Sequence, residues 1–116
     1  MKDKNISVAL RQLGIPPSLS GFDYCMAAIK LIFENKDFYR HFTVLYSTIG
    51  RMYNTTGSRV ERAMRTAIEV AFKYAGSDIL EEIFANSYSP LKGKPTTKEF
   101  LCCICEYLKY EEDAHD

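Results

Sequence analysis

The chain has 116 residues, an apolar content of 47%, and 15 basic side chains against 15 acidic ones. That length suits one core, so a single domain spanning 1–116 is expected, with short flexible ends at about 1–4 and 111–116. No apolar run approaches the ~18 residues that cross a bilayer, and the opening MKDKNISVAL lacks the apolar stretch of a secretory signal; this reading excludes membrane insertion and export, and a cytoplasmic protein is expected.

Taken in chain order, the apolar spacing predicts an all-α fold, a compact bundle of about six helices. They fall near Ile6–Leu13, Gly21–Asn35, Thr43–Tyr53, Ser58–Ala75, Asp78–Ala85 and Thr97–Tyr110. The breaks between them have physical causes. Gly14-Ile15-Pro16-Pro17 cannot continue a helix, and Pro90 and the Gly93-Lys94-Pro95 turn end the region before the last helix. Ser77 is a cap candidate for the fifth helix, and Thr96 or Thr97 for the sixth. No alternating apolar run of strand length appears.

The most informative segment is Tyr46–Val70, YSTIGRMYNTTGSRVERAMRTAIEV. It reads as a helix, a tight polar turn and a second helix with two faces. Val60, Ala63, Met64, Ala67, Ile68 and Ala71 recur at helical spacing and form an apolar stripe. Ser58, Arg59, Glu61, Arg62, Arg65, Thr66 and Glu69 lie opposite. Gly50 in the first helix implies that the second helix crosses closely there, because Gly otherwise costs about 1 kcal/mol relative to Ala in a helix. Asn54 tolerates the left-handed conformation of a sharp turn. Thr56 then caps the second helix, in preference to Ser58 with its S-x-x-E spacing to Glu61. A helix that docks one face on a core and lines the other with arginines is what a helix-turn-helix places in a DNA groove. The plain alternative is an ordinary helical hairpin.

Charge is unevenly distributed. Residues Val44–Gly76 hold five basic and two acidic side chains, whereas Ser77–Asp116 hold four basic and nine acidic ones. Binding to phosphates depends on local cations, so the zero overall balance does not exclude DNA. The terminal EEDAHD reads as a solvated tail.

Cys102-Cys103-Ile104-Cys105 contains a C-x-x-C, but only Cys25, His41 and His115 remain to complete a zinc site, at no recognised spacing. The thiols sit inside a helix beside acidic residues, which does not favour redox chemistry. They read as buried small side chains. His41 and His115 lack triad partners, and no Gly-rich phosphate loop appears. No enzyme, cofactor or metal is expected.

On these residues the chain resembles a known family. NTTGSRVERAMRTAIEVAF is similar, nearly position for position, to the C-terminal DNA-binding effector domain of the sporulation master response regulator (stage zero sporulation protein A) family. LGIPPSLSGFDYCMAAIKLIFEN resembles the family's opening helices and KGKPTTKEFLCCICEYL its last helix, so the similarity runs from about Ile6 to Leu108. The resemblance implies a sequence-specific transcriptional regulator that reads a TGTCGAA-like box through the helix Ser58–Ala75. It implies base-facing roles for Glu61, Arg62, Arg65 and Thr66, where the family usually has histidine at the last position. Arginine suits guanine O6 and N7, and glutamate suits cytosine N4. Thr56, Ser58 and Arg59 are expected at the DNA backbone, and Lys94 is either a further backbone contact or a plain surface lysine.

Two further partners follow from the resemblance: a second domain bound as a tandem dimer on adjacent boxes, and the sigma subunit of RNA polymerase. The latter implies contacts from Ile79, Glu81, Glu82 and Phe84. The two glutamates depart from the family's small polar residues there, and an amphipathic helix closing the core is the plainer reading of that segment. The phosphorylated receiver domain of a full-length regulator has no counterpart in these residues, which suits either an excised effector part or a free-standing relative. The competing functional class is a non-enzymatic interaction module that keeps the helix-turn-helix fold and competes with a full-length regulator.

Overall fold

A computed structural model of the chain describes residues 2–84 and 94–114. Among these the fold is all-helical: α1 (Asp3–Gln12), α2 (Ser20–Glu34), a 3-10 turn (Lys36–Arg40), α3 (Phe42–Met52), α4 (Gly57–Tyr74), α5 (Ser77–Phe84) and α6 (Thr97–Ala114). The six α-helices lie where the apolar spacing predicts them. Ala85, Pro90 and Gly93, invoked above for the end of the fifth helix and the break after it, lie outside the described residues.

α2 is the axis of the bundle. Its Phe22, Cys25, Ala28, Ile29 and Ile32 are buried, and α1, α3, α4 and α6 all pack against it. Gly21 shows how tightly. A Cβ there would stand 2.3 Å from the Ala63 carbonyl oxygen and 2.8 Å from the Ala67 Cβ, so only glycine lets α2 and α4 touch through their backbones. One contiguous core draws Leu10 and Leu13 from the first helix and its end, Leu45 and Ile49 from α3, Met64 and Ile68 from α4, and Phe84, Phe100 and Ile104 from the last two helices. The rings of Phe72, Phe84 and Phe100 stack in sequence at 5.2 and 5.7 Å between centroids, joining α4, α5 and α6.

Several helix boundaries depart from the sequence reading, most of them by a single residue. α1 begins at Asp3, before the first core residue Ile6, and a Lys30–Asp3 ion pair at 3.2 Å ties this first turn to α2. α6 continues to Ala114, so the segment expected as a flexible tail from 111 is helical through that residue. The Leu80 N–H donates to the Gly76 carbonyl, which makes Gly76 rather than Ser77 the residue preceding α5. The 3-10 turn was not anticipated; the Asn35 side chain accepts from the Asp37 N–H at 3.0 Å and starts it. At α6 the cap is Thr96, not Thr97. Its hydroxyl accepts from the Glu99 N–H at 3.2 Å while the Glu99 carboxylate accepts from the Thr96 N–H at 3.0 Å, a reciprocal capping box.

Candidate nucleic-acid interface

The site is assembled around the turn between α3 and α4. α3 ends with Asn54 in the left-handed region at φ 55°. The Thr55 N–H reaches back to the Gly50 carbonyl at 2.7 Å and the Asn54 N–H to the Arg51 carbonyl at 3.5 Å, the bond pair of a Schellman termination. The same device closes α1, where Gly14 takes φ 83° and the Ile15 N–H bonds the Leu10 carbonyl at 3.2 Å. Gly50 is needed because a Cβ would lie 2.9 Å from both the Thr55 oxygen and the Thr56 carbonyl carbon. The close approach is therefore to the turn and not to the body of α4. Thr56 is extended and its hydroxyl accepts from the Arg59 N–H at 3.2 Å, which starts α4 at Gly57 as the sequence implies. Tyr53 leans edge-on against Tyr24 of α2, with 5.1 Å between centroids, and pins the turn to the core.

α4 leaves this corner with its two faces cleanly separated. Val60, Met64, Ala67, Ile68 and Ala71 are buried, while Ser58, Arg59, Arg62, Arg65, Thr66 and Glu69 are exposed. Ala63 of the apolar stripe is half-buried, under Gly21. Of the residues expected to face bases, Arg62 stands in solvent. Arg65 forms an ion pair with Glu61 at 3.0 Å one turn before it. The Thr66 hydroxyl donates to the Arg62 carbonyl at 3.2 Å, leaving its oxygen to act as an acceptor. Glu61 is only half exposed and also accepts from the Thr97 hydroxyl at 3.3 Å.

Two concavities flank this face. One, of about 480 Å³, lies between α3 and the first turns of α4 and is lined by Thr43, Tyr46, Ser47, Thr56, Gly57, Ser58, Glu61 and Arg65. It is rich in hydroxyls, and burial, joined by the nearby Glu61 charge, pushes the Tyr46 phenol up to about 12. The other, of about 270 Å³, runs beside Arg59, Arg62 and Thr66 to Leu19, Ser20 and Gly21 at the start of α2. The structure thus brings Thr56, Ser58, Arg59, Glu61, Arg62, Arg65 and Thr66 onto one end of the molecule. Lys94 joins them indirectly: its ammonium bonds the Glu69 carboxylate at 2.8 Å and holds that carboxyl below its usual range.

The α5 residues are placed differently. Glu81 and Glu82 are exposed, with Glu82 accepting from the Tyr107 hydroxyl at 3.2 Å, and Ile79 is half-buried. Phe84, however, is 2% exposed and packs between Phe72 and Phe100. Its ring is a core element and is not available to a partner, as expected of a helix that closes the core. Ser47 and Gly57 carry no signal of their own in the sequence, and Thr97 stands out there only as a cap candidate for the last helix. The Gly57 position matters because a Cβ there would lie 3.1 Å from the Ser47 backbone nitrogen, so the corner is tight from both sides.

Cys25 and Cys105 are packing residues in this fold, whereas Cys102 and Cys103, which the sequence reads as buried, are half-exposed. Cys25 and Cys105 are buried, and burial pushes both thiols up to about 12, Cys105 despite a bond from Tyr39 that lowers it. Among the described residues no group of three or more histidine, cysteine or acidic side chains is placed to hold a metal ion, and no helix is long and apolar enough to cross a membrane. His115 lies outside the described residues.

A helix capped at a tight left-handed turn, docked through small apolar residues and presenting arginines outward, is the helix-turn-helix class of DNA-binding module. The profile of the family described as "Sporulation initiation factor Spo0A C terminal" matches residues 6–108. The chain belongs to that family, whose domain is the DNA-binding, transcription-regulating effector part of a sporulation response regulator.

Proposed function

We propose that α4 is the recognition helix of a sequence-specific regulator that reads a TGTCGAA-like box. The observation that carries this is the alignment of Arg59, Arg62 and Arg65 on the solvent face of a helix whose other face is fully committed to the core. Exposed arginines at such spacing match the donor pattern of guanine edges and phosphates. In this reading Arg62 and Arg65 address guanines, Glu61 offers an acceptor to a cytosine amino group, and Thr66 sets the preference at a position where the family usually has histidine. Thr56, Ser58 and Arg59, at the positive end of the helix, hold the backbone, and Lys94 reaches a neighbouring phosphate by exchanging Glu69 for it.

Fluorescence anisotropy at fixed salt, with a duplex carrying the box and a scrambled duplex of the same length, tests the reading. Tighter binding to the box, with an affinity that falls steeply as salt rises, is the expected result. Equal affinity for both duplexes would refute base reading, and no binding to either would favour the interaction-module alternative.

Two partner proposals follow from the family. The domain is a monomer off DNA and pairs in tandem on adjacent boxes, so sedimentation should show a monomer alone and a two-domain complex on a two-box duplex. The exposed side of α5, with Ile79, Glu81 and Glu82 but without the buried Phe84, is the surface offered to the sigma subunit. Charge reversal at Glu81 should weaken activated transcription and leave DNA affinity unchanged. Acting at DNA places the protein with the nucleoid, in the cytoplasm.

A further inference from the structure

Thr97 is the buried polar residue among the described side chains, at 7% exposure. A hydroxyl removed from water needs a partner, and its partner lies 36 residues earlier: it donates to Glu61 Oε1 at 3.3 Å. The other oxygen of the same carboxylate, Oε2, accepts from the Arg65 guanidinium at 3.0 Å. A chain of three groups therefore runs from the first turn of α6, through a half-buried carboxylate, to an arginine on the exposed face of α4.

Exposed ion pairs one helical turn apart usually contribute little, because both side chains remain mobile. This pair differs in having its carboxylate fixed from a second helix. The start of α6 is itself held by the Thr96–Glu99 capping box, and Lys94 fastens the same segment to Glu69, two turns further along α4. The Tyr46 ring borders Glu61 from the side of α3. A carboxylate has about four lone-pair sites and a guanidinium five donors. The two bonds leave Arg65 with donors for a base edge and Glu61 with acceptor capacity for another. An arginine held in place before contact loses less freedom on binding.

Resting on the reading of α4 as the base-reading helix, we propose that Thr97 is a positioning residue for base recognition: its hydroxyl fixes Glu61, which holds Arg65 toward the groove. The α6 start thereby takes part in specificity without touching a base.

The test uses Thr97→Val, which keeps the shape and removes the hydroxyl, and Thr97→Ser, which keeps the hydroxyl and removes the methyl group. Affinities for the box and scrambled duplexes are measured at several salt concentrations, with thermal unfolding followed in parallel. Thr97→Val should lower the box-to-scrambled ratio by about three- to ten-fold, the range for losing one ordinary hydrogen bond. Affinity for scrambled DNA and the salt slope should stay the same, and Thr97→Ser should retain the ratio. An unchanged ratio in Thr97→Val, equal losses on both duplexes, or a Thr97→Ser variant as impaired as Thr97→Val would each overturn the proposal. Arg65→Ala separates the two levels. If it leaves the ratio intact, the base-reading role falls and this proposal with it. If it collapses the ratio while Thr97→Val does not, only the role of Thr97 falls.

Discussion

Along α4, Val60, Met64, Ala67, Ile68 and Ala71 are withdrawn from solvent, whereas Arg59, Arg62 and Arg65, threaded between them, remain exposed. The inward set touches α2, α3 and α6 through small or flexible apolar groups, and the outward set makes few bonds within the protein. Inward changes should therefore alter whether the domain folds, and outward changes should alter which duplex it holds. A helix serving both demands must keep the two sets from sharing contacts. Glu61 is the place where they meet, since it is half-buried, bonded to Thr97 and paired with Arg65.

The sharpest way to break this separation is through Met64, which is fully buried. Met64→Ala should cost about 2–5 kcal/mol of stability in chemical denaturation, while the variant that remains folded keeps its preference for the box. A lost preference in the folded fraction would show that the two faces are coupled. Next in size, Arg62→Ala should cost about 1–3 kcal/mol in binding the box and relax discrimination at one base pair. Its denaturation midpoint should stay put, as surface changes usually allow. A large stability loss there would mean that the outward face also supports the fold.

Thr56→Ala removes the hydroxyl that accepts from the Arg59 N–H. It should lower stability by about 0.5–2 kcal/mol, measured by urea unfolding, and weaken binding to all duplexes together. The smallest effect belongs to Arg59. Arg59→Ala should reduce the dependence of log K on log salt by about one unit and leave discrimination untouched. An unaltered slope would place Arg59 away from the phosphates.

How much of this could be read from the sequence depended on the range of the interaction. The corner was legible because its determinants are local: Asn54 for a positive φ and Thr56 for a cap act within a few residues, while Gly50 signals a close approach without revealing that its partner is the turn rather than the crossing helix. The apolar stripe of α4 was legible for the same reason, since periodicity reports burial directly. The 3-10 turn at Lys36–Arg40 was not, because a single short turn has no periodicity and its initiating bond comes from the Asn35 side chain. The two ends of the helical region were drawn too short because Asp3, Lys4 and the stretch after Tyr110 are polar; they extend helices without adding to an apolar face. The contacts of Glu61 with Thr97 and of Glu69 with Lys94 span 36 and 25 residues, and no local pattern announces such pairs. The choice between Thr96 and Thr97 as a cap turned on which of the two adjacent hydroxyls faced the helix start; the other faced the interior.

Cys25, on the central helix, is fully enclosed, and burial pushes its thiol up to about 12. Alkylating reagents attack the thiolate, and burial both disfavours that form of this sulfur and encloses it. The sulfur becomes reactive only when α2 parts from its neighbours. Its labelling rate is thus an internal stopwatch for opening of the bundle, readable by mass spectrometry without any introduced probe. A duplex that binds only the closed form should slow that clock in proportion to its occupancy.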